Sequence, residues 1–164
     1  MDSIRNGTAC AIADAEHGQV LASVQIAVSP ERLFRALTSE EITDWWVRPG
    51  VFDTREWTGN LRVGGRWRAA GVGRGQPYVQ EGVFLEIDAP RRLVHTWDAV
   101  GTPDAPSTVT YLLDTREDGT CVTLRQAGFA SREQCNAFAM GWKSSFERLA
   151  EILHDDAATM HTPT

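Results

Sequence analysis

The sequence predicts an α+β fold: a curved, seven-stranded antiparallel sheet wrapped around one long C-terminal helix, with two short helices after the first strand. Three observations carry that expectation. Six strand-like segments between residues 55 and 128 are separated only by short turn-forming links. A single long amphipathic pattern follows at 131–154, and one further strand with two short helical patterns precedes the meander. Short links between successive strands favour antiparallel neighbours, and a sheet with one long helix is a two-layer design.

The elements follow in order. Residues 1–18 are small and polar without a sustained period and are expected to form a flexible arm, ahead of a domain spanning 19–154 and a flexible tail at 155–164. In QVLASVQIAV (19–28), Leu21, Val24, Ile26 and Val28 alternate with one slip, the pattern of a strand. In SPERLFRALTS, Ser29 can cap a helix and Pro30 suits its first position. Leu33, Phe34 and Leu37 then supply its apolar face. Thr38-Ser39-Glu40-Glu41 reads as a capping box for a second short helix, which runs into Trp45-Trp46 and stops before Pro49.

The meander comprises REWTG, GRWRAAGVG, YVQEGVFLEI, RRLVHTWDA, STVTYLLDT and TCVTLRQAG. GVGRG at 71–75 resembles a phosphate loop only superficially, because it lies between strands rather than before a helix. It is read as a hairpin turn. The last element opens at Ser131-Arg132-Glu133-Gln134, another capping box. Cys135, Phe138, Ala139, Trp142, Phe146, Leu149, Ala150 and Leu153 then recur at steps of three and four. Such a helix is about 36 Å long.

Composition narrows the function. A chain of 164 residues buries enough surface for a core without staples. Its net charge of −6 argues against a nucleic-acid partner, and its apolar runs are too short to span a membrane. The start MDSIRNGTACAIADAEHG has neither the cationic nor the apolar block of a signal peptide, so a cytoplasmic location is expected. Cys10, Cys121 and Cys135 have no paired spacing, and His17, His95, His154 and His161 form no ligand motif. No metal or cofactor is expected.

A lone helix on a curled sheet does not fill the whole trough, so aromatic side chains facing that space either pack it or line a pocket. Alternation sends Leu93, His95 and Trp97 inward together, as it does Val109, Tyr111 and Leu113, and Val122, Leu124 and Gln126. Trp67, between Arg66 and Arg68, points inward, and the helix adds Phe138 and Trp142. Polar tips at His95, Tyr111, Gln126 and either Tyr78 or Glu81 interrupt an otherwise apolar wall, the usual make-up of a small-molecule site. Trp45 and Trp46, at a helix–loop junction, are expected to form one wall of its entrance. The alternative is that one is core and the other packs the following loop.

These segments together resemble the activator of heat-shock protein 90 ATPase-like branch of the START/birch-pollen-allergen (SRPBCC) superfamily, which has the helix-grip fold. The resemblance rests on SPERLFRALTS, Asp44-Trp45-Trp46, VGGRWR, GVFLEIDAPRRLVHTW, STVTYLL, GTCVTLRQAGF and GWKSSFERLAEIL, roughly residues 20–154. It implies binding of a hydrophobic or aromatic small molecule between sheet and helix. Cyclase- or hydrolase-type chemistry in the same cavity is the alternative, and chaperone contact a further one. Where many relatives carry histidine before the Gly-Phe pair, this chain has Gln126.

No Ser-His-Asp order, pair of inward carboxylates or cofactor fingerprint accompanies the pocket. The weak catalytic candidate is His95, an inward histidine suited to proton transfer. The polar outer face, with Arg66, Arg68, Thr96 and Asp98, favours a monomer or weak homodimer.

Overall fold

The computed structural model describes residues 7–160, with side chains described through residue 154. Residues 1–6 and 161–164, including His161, lie outside the described residues. Strands β1 (Cys10–Asp14) and β2 (Gln19–Ile26) lead into helices α1 (Pro30–Leu37) and α2 (Ile42–Trp45). Seven strands follow: β3 (Val47–Arg48), β4 (Phe52–Gly59), β5 (Arg66–Gly73), β6 (Gln76–Asp88), β7 (Arg92–Ala99), β8 (Ser107–Arg116) and β9 (Gly119–Ala127). Helix α3 (Arg132–Met160) is the last described element. The sheet has the order β1-β2-β9-β8-β7-β6-β5-β4-β3, and every pairing is antiparallel.

The architecture is α+β, a curled sheet gripping a long helix, with nine strands where the sequence suggested seven. Cys10–Asp14, inside the expected arm, pairs along its whole length with Gln19–Ser23. Its alternation is hidden because three of its five side chains are alanine or aspartate. Val47–Arg48 forms a two-residue strand against Phe52 and Asp53, too short for any period to register. At the other end, the helical backbone runs into the expected tail as far as Met160.

On β2 the inward face is Val20, Ala22, Val24 and Ile26, while Leu21 is exposed, correcting the expected assignment. Register decides it. Val24 lies opposite Val122 and Val20 opposite Gln126, both buried, whereas Leu21 lies opposite the exposed Arg125. A one-residue slip reverses every side chain of a strand, and an alanine at the inward position 22 disguises the true period.

Helix α1 begins as expected: the Ser29 hydroxyl accepts from the Arg32 N–H at 3.1 Å, with Pro30 at the first position. The second capping box does not form. Ser39 Oγ accepts from the Glu41 N–H, but the Glu41 carboxylate turns to Arg32, at 2.6 Å, and Arg35, at 3.2 Å. Charge-assisted bonds to two guanidiniums outcompete one backbone amide, and α2 is a single turn. At α3, Ser131 Oγ accepts from the Gln134 N–H, and Gln134 Oε1 accepts from the Ala130 N–H one residue ahead of the cap.

Of the strands, α3 lies in backbone contact with β2 and β1 at one edge of the sheet and with β3 at the other. The helix therefore bridges a trough. Bulges between Thr54 and Glu56 and between Phe84 and Glu86 add curvature to the strands forming its floor. Aromatic rings pack into the space beneath the helix.

Candidate ligand-binding site

The filling is an indole cluster. Trp46 lies 4.8 Å from Trp97 between ring centroids, 5.8 Å from Trp67 and 6.1 Å from Trp142, with edge-to-face geometry in the last two. Trp97 meets Trp142 at 5.7 Å and Phe138 at 6.0 Å, both edge to face. Such geometries add attraction beyond area burial. The cluster stops short of filling the trough, and a cavity of about 450 Å³ remains at the end near β3 and the β5–β6 turn. Trp46, Trp97, Trp142 and Phe138 form its inner wall, with Phe52, Val51, Ala137, Met140 and Gly141 around them. Arg48, Thr54, Arg74, Tyr78, Gln80 and Ser145 supply its polar groups.

Five residues expected from sequence, Trp46, Tyr78, Trp97, Phe138 and Trp142, line this cavity. The other five do not. Trp45 is 1% exposed and packs behind Trp46, Trp142 and Phe146, its Nε1 donating to the Ala36 carbonyl at 2.9 Å. The adjacent tryptophans thus divide, Trp45 going to the core and Trp46 to the wall. Trp67 is buried over Gly82, and its Nε1 donates to the Thr96 carbonyl at 3.1 Å. A Cβ at position 82 would stand 2.5 Å from that nitrogen and 2.0 Å from the Thr96 oxygen, so glycine is required there.

His95 is sealed beneath the cluster, 4% exposed, among the rings of Trp67, Phe84, Trp97 and Tyr111. Its Nδ1 lies 2.9 Å from the Thr96 carbonyl oxygen, which can only accept, so Nδ1 carries the proton. Burial pulls its pKa down from 6.5 to about 4, only partly opposed by that hydrogen bond. The ring is neutral near pH 7 and does not line the cavity. Tyr111 is likewise buried, and its phenol pKa is pushed up by desolvation.

Gln126 is fully buried between helix and sheet. Its Oε1 accepts from Trp142 Nε1 at 2.7 Å and its Nε2 donates to Ser107 Oγ at 2.8 Å. The indole is a donor only, which fixes the orientation of the amide. Gln126 positions a wall residue without lining the cavity.

Tyr78 is half-buried, its hydroxyl bonded to Thr54 Oγ1 and its pKa raised chiefly by burial. Two polar atoms of the wall have no hydrogen-bond partner among the described residues: Trp46 Nε1 and Trp97 Nε1, both buried. Their surroundings offer ring faces, which satisfy an N–H far less than an oxygen does. No group of three or more His, Cys, Asp or Glu among the described residues could hold a metal ion. No helix among them is long and apolar enough to cross a membrane.

Sequence reasoning missed Arg48, Phe52, Arg74, Met140 and Gly141 as lining residues. Two signals were present: an arginine in the Gly-Arg-Gly turn at 73–75, and a glycine in the middle of the long helical stripe.

The fold has solved relatives. A structure from Chromobacterium violaceum is 22% identical, covers 84% of this chain and 97% of its own, and superposes with a TM-score of 0.74. One from Mesorhizobium loti is 26% identical over 82% of this chain and 96% of its own, with a TM-score of 0.67. The AHSA1 protein from Silicibacter pomeroyi is 23% identical over 84% of this chain and 99% of its own, with a TM-score of 0.70. Among curated proteins none matches the sequence. The family model described as Activator of Hsp90 ATPase homolog 1-like protein matches residues 27–154, from just after β2 into α3. The chain belongs to that family.

Proposed function

We propose that this protein binds a hydrophobic or aromatic small molecule in the cavity between α3 and the sheet. The family fold supports ligand binding in general. The observation that carries the specific reading is the cavity wall itself: about 450 Å³ of space bordered by three indoles and two phenyl rings. That volume lies within the range of about 300–1,000 Å³ typical of small-molecule sites. Two wall indoles keep buried N–H groups without an oxygen or nitrogen partner among the described residues. A buried unmade hydrogen bond costs about 1–3 kcal/mol, so a ligand acceptor reaching either group on a modest ring shift gains affinity there.

Titration with the neutral fluorophore N-phenyl-1-naphthylamine tests the reading. Three of the six tryptophans line the cavity, so saturable quenching of tryptophan emission with one-to-one stoichiometry is expected. Trp97→Ala should change that affinity. Absence of saturable quenching by this probe would remove the binding proposal.

A further inference from the structure

The charge of the cavity lining departs from that of the chain. The protein carries 22 acidic and 16 basic residues, yet the lining holds two arginines, Arg48 and Arg74, and no aspartate or glutamate. The carboxylate that acts on Tyr78, that of Asp53, is already paired with Arg55 at 3.2 Å. Among the described residues neither Arg48 nor Arg74 has an ion-pair or side-chain hydrogen-bond partner. Resting on the binding reading above, we propose that the ligand is an amphipathic anion. Its apolar body lies on the Trp46–Trp97–Trp142 wall, and its acid group is held at the mouth by Arg48 and Arg74.

The backbone holds the two guanidinium stems on the same end of the sheet. The Val51 N–H donates to the Arg48 carbonyl at 2.9 Å, and the Val51 carbonyl accepts from the Arg74 N–H at 2.8 Å. Phe52, which pairs with Arg48 on one side and Gly73 on the other, continues the same link. Arg48 is half-buried beside the aromatic wall and Arg74 is exposed, so one cation sits inside the rim and the other outside. Guanidinium forks suit carboxylate, sulfonate and phosphate oxygens geometrically.

Local conformation separates Arg74 from the needs of the fold. Arg74 and Gly75 form the two-residue link between β5 and β6, with φ of 51° and 78°. That left-handed pair favours Asn-Gly or Gly-Gly, and an arginine at its first position is a poorer turn residue than asparagine. The turn therefore gives no reason for a long cationic side chain, whereas an acid at the cavity mouth does.

The experiment compares two probes with one ring system, 1-anilinonaphthalene-8-sulfonate and its neutral counterpart N-phenyl-1-naphthylamine. Apolar burial alone favours the neutral probe. The proposal expects the wild-type protein to bind the sulfonate at least as tightly, with each probe displacing the other. Arg74→Asn and Arg48→Gln should each lower the sulfonate-to-neutral affinity ratio about tenfold, the loss of one hydrogen-bonded charge contact. Arg74→Asn should meanwhile unfold at the same temperature or higher, since asparagine suits the turn.

Sulfonate binding that the neutral probe does not displace would place the anion elsewhere and overturn the proposal. So would a ratio that stays within about twofold in both variants. Either result leaves cavity binding intact if the neutral probe still binds. Failure of the neutral probe in the wild type overturns the binding reading itself.

Discussion

Replacing His95 by leucine isolates a pH-dependent part of the stability. The folded pKa of about 4 lies below the unfolded value of 6.5. Between those values the unfolded chain takes up a proton that the folded chain refuses. Stability is thus fully present above the unfolded pKa and is lost as the pH falls toward the folded one. The gap corresponds to roughly 3 kcal/mol in total, of which about 2 kcal/mol is lost between about pH 7 and about pH 5. The ring neighbours, Trp67, Phe84, Trp97 and Tyr111, carry no charge in that window and cannot sustain an imidazolium. His95→Leu also deletes the bond to the Thr96 carbonyl, but that oxygen keeps Trp67 Nε1 at 3.1 Å. The loss is therefore a constant offset in stability, whereas the titration is a slope. Urea unfolding of both proteins across the window separates the two. The difference between wild type and variant should move by about 2 kcal/mol in favour of the variant on acidification. Parallel stability curves would refute the neutral, sealed imidazole.

Two further substitutions test the packing around the cavity. Gly82→Ala places a methyl against the Thr96 carbonyl and Trp67 Nε1. It should destabilise the fold by about 2–3 kcal/mol in denaturant titration, since the backbone oxygen cannot step aside. Gly141, in the interior of α3 and lining the cavity, is the opposite case, because an added Cβ comes no closer than 3.7 Å to the Phe52 ring. Gly141→Ala should stabilise by about 0.5–1 kcal/mol through helix propensity, and Gly141→Phe should abolish probe binding measured by tryptophan quenching.

The inward faces of β5, β7, β8 and β9 are legible because an antiparallel strand with one solvated face must alternate. Trp67 between two exposed arginines, and His95 between Leu93 and Trp97, fall where period two sends them. What alternation cannot rank is depth. Trp67, His95, Tyr111 and Gln126 share the inward face with Trp97, yet only Trp97 reaches the cavity, because the cluster fills the trough from the middle outward. Trp45 and Trp46 show the same limit at a helix end, where one residue of chain separates core from wall. Arg48 and Arg74 could not be placed at the cavity for another reason. A strand of two residues and a turn of two residues have no periodicity, and what brings them to one place is Phe52, which pairs with Arg48 on one side and with the sequence-distant Gly73 on the other.

The indoles of the cluster differ in how they are held, and that difference has a measurable consequence. Trp45, Trp67 and Trp142 donate to Ala36, Thr96 and Gln126 respectively, while Trp46 and Trp97 donate to no oxygen or nitrogen among the described residues. Trp97→Phe and Trp142→Phe each remove an indole's extra ring from a buried site, so their packing losses are similar. The hydrogen-bond terms have opposite signs. Trp97→Phe deletes a donor that was unpaired and relieves its cost. Trp142→Phe leaves Gln126 Oε1 without its indole donor, and Gln126 is fully buried. Each term is about 1–3 kcal/mol, so the Trp142 variant should be less stable than the Trp97 variant by about 2 kcal/mol or more. Equal unfolding midpoints would mean that the Trp97 N–H is already satisfied, and that the two unanchored rings are no freer to move apart for a ligand than the three anchored ones.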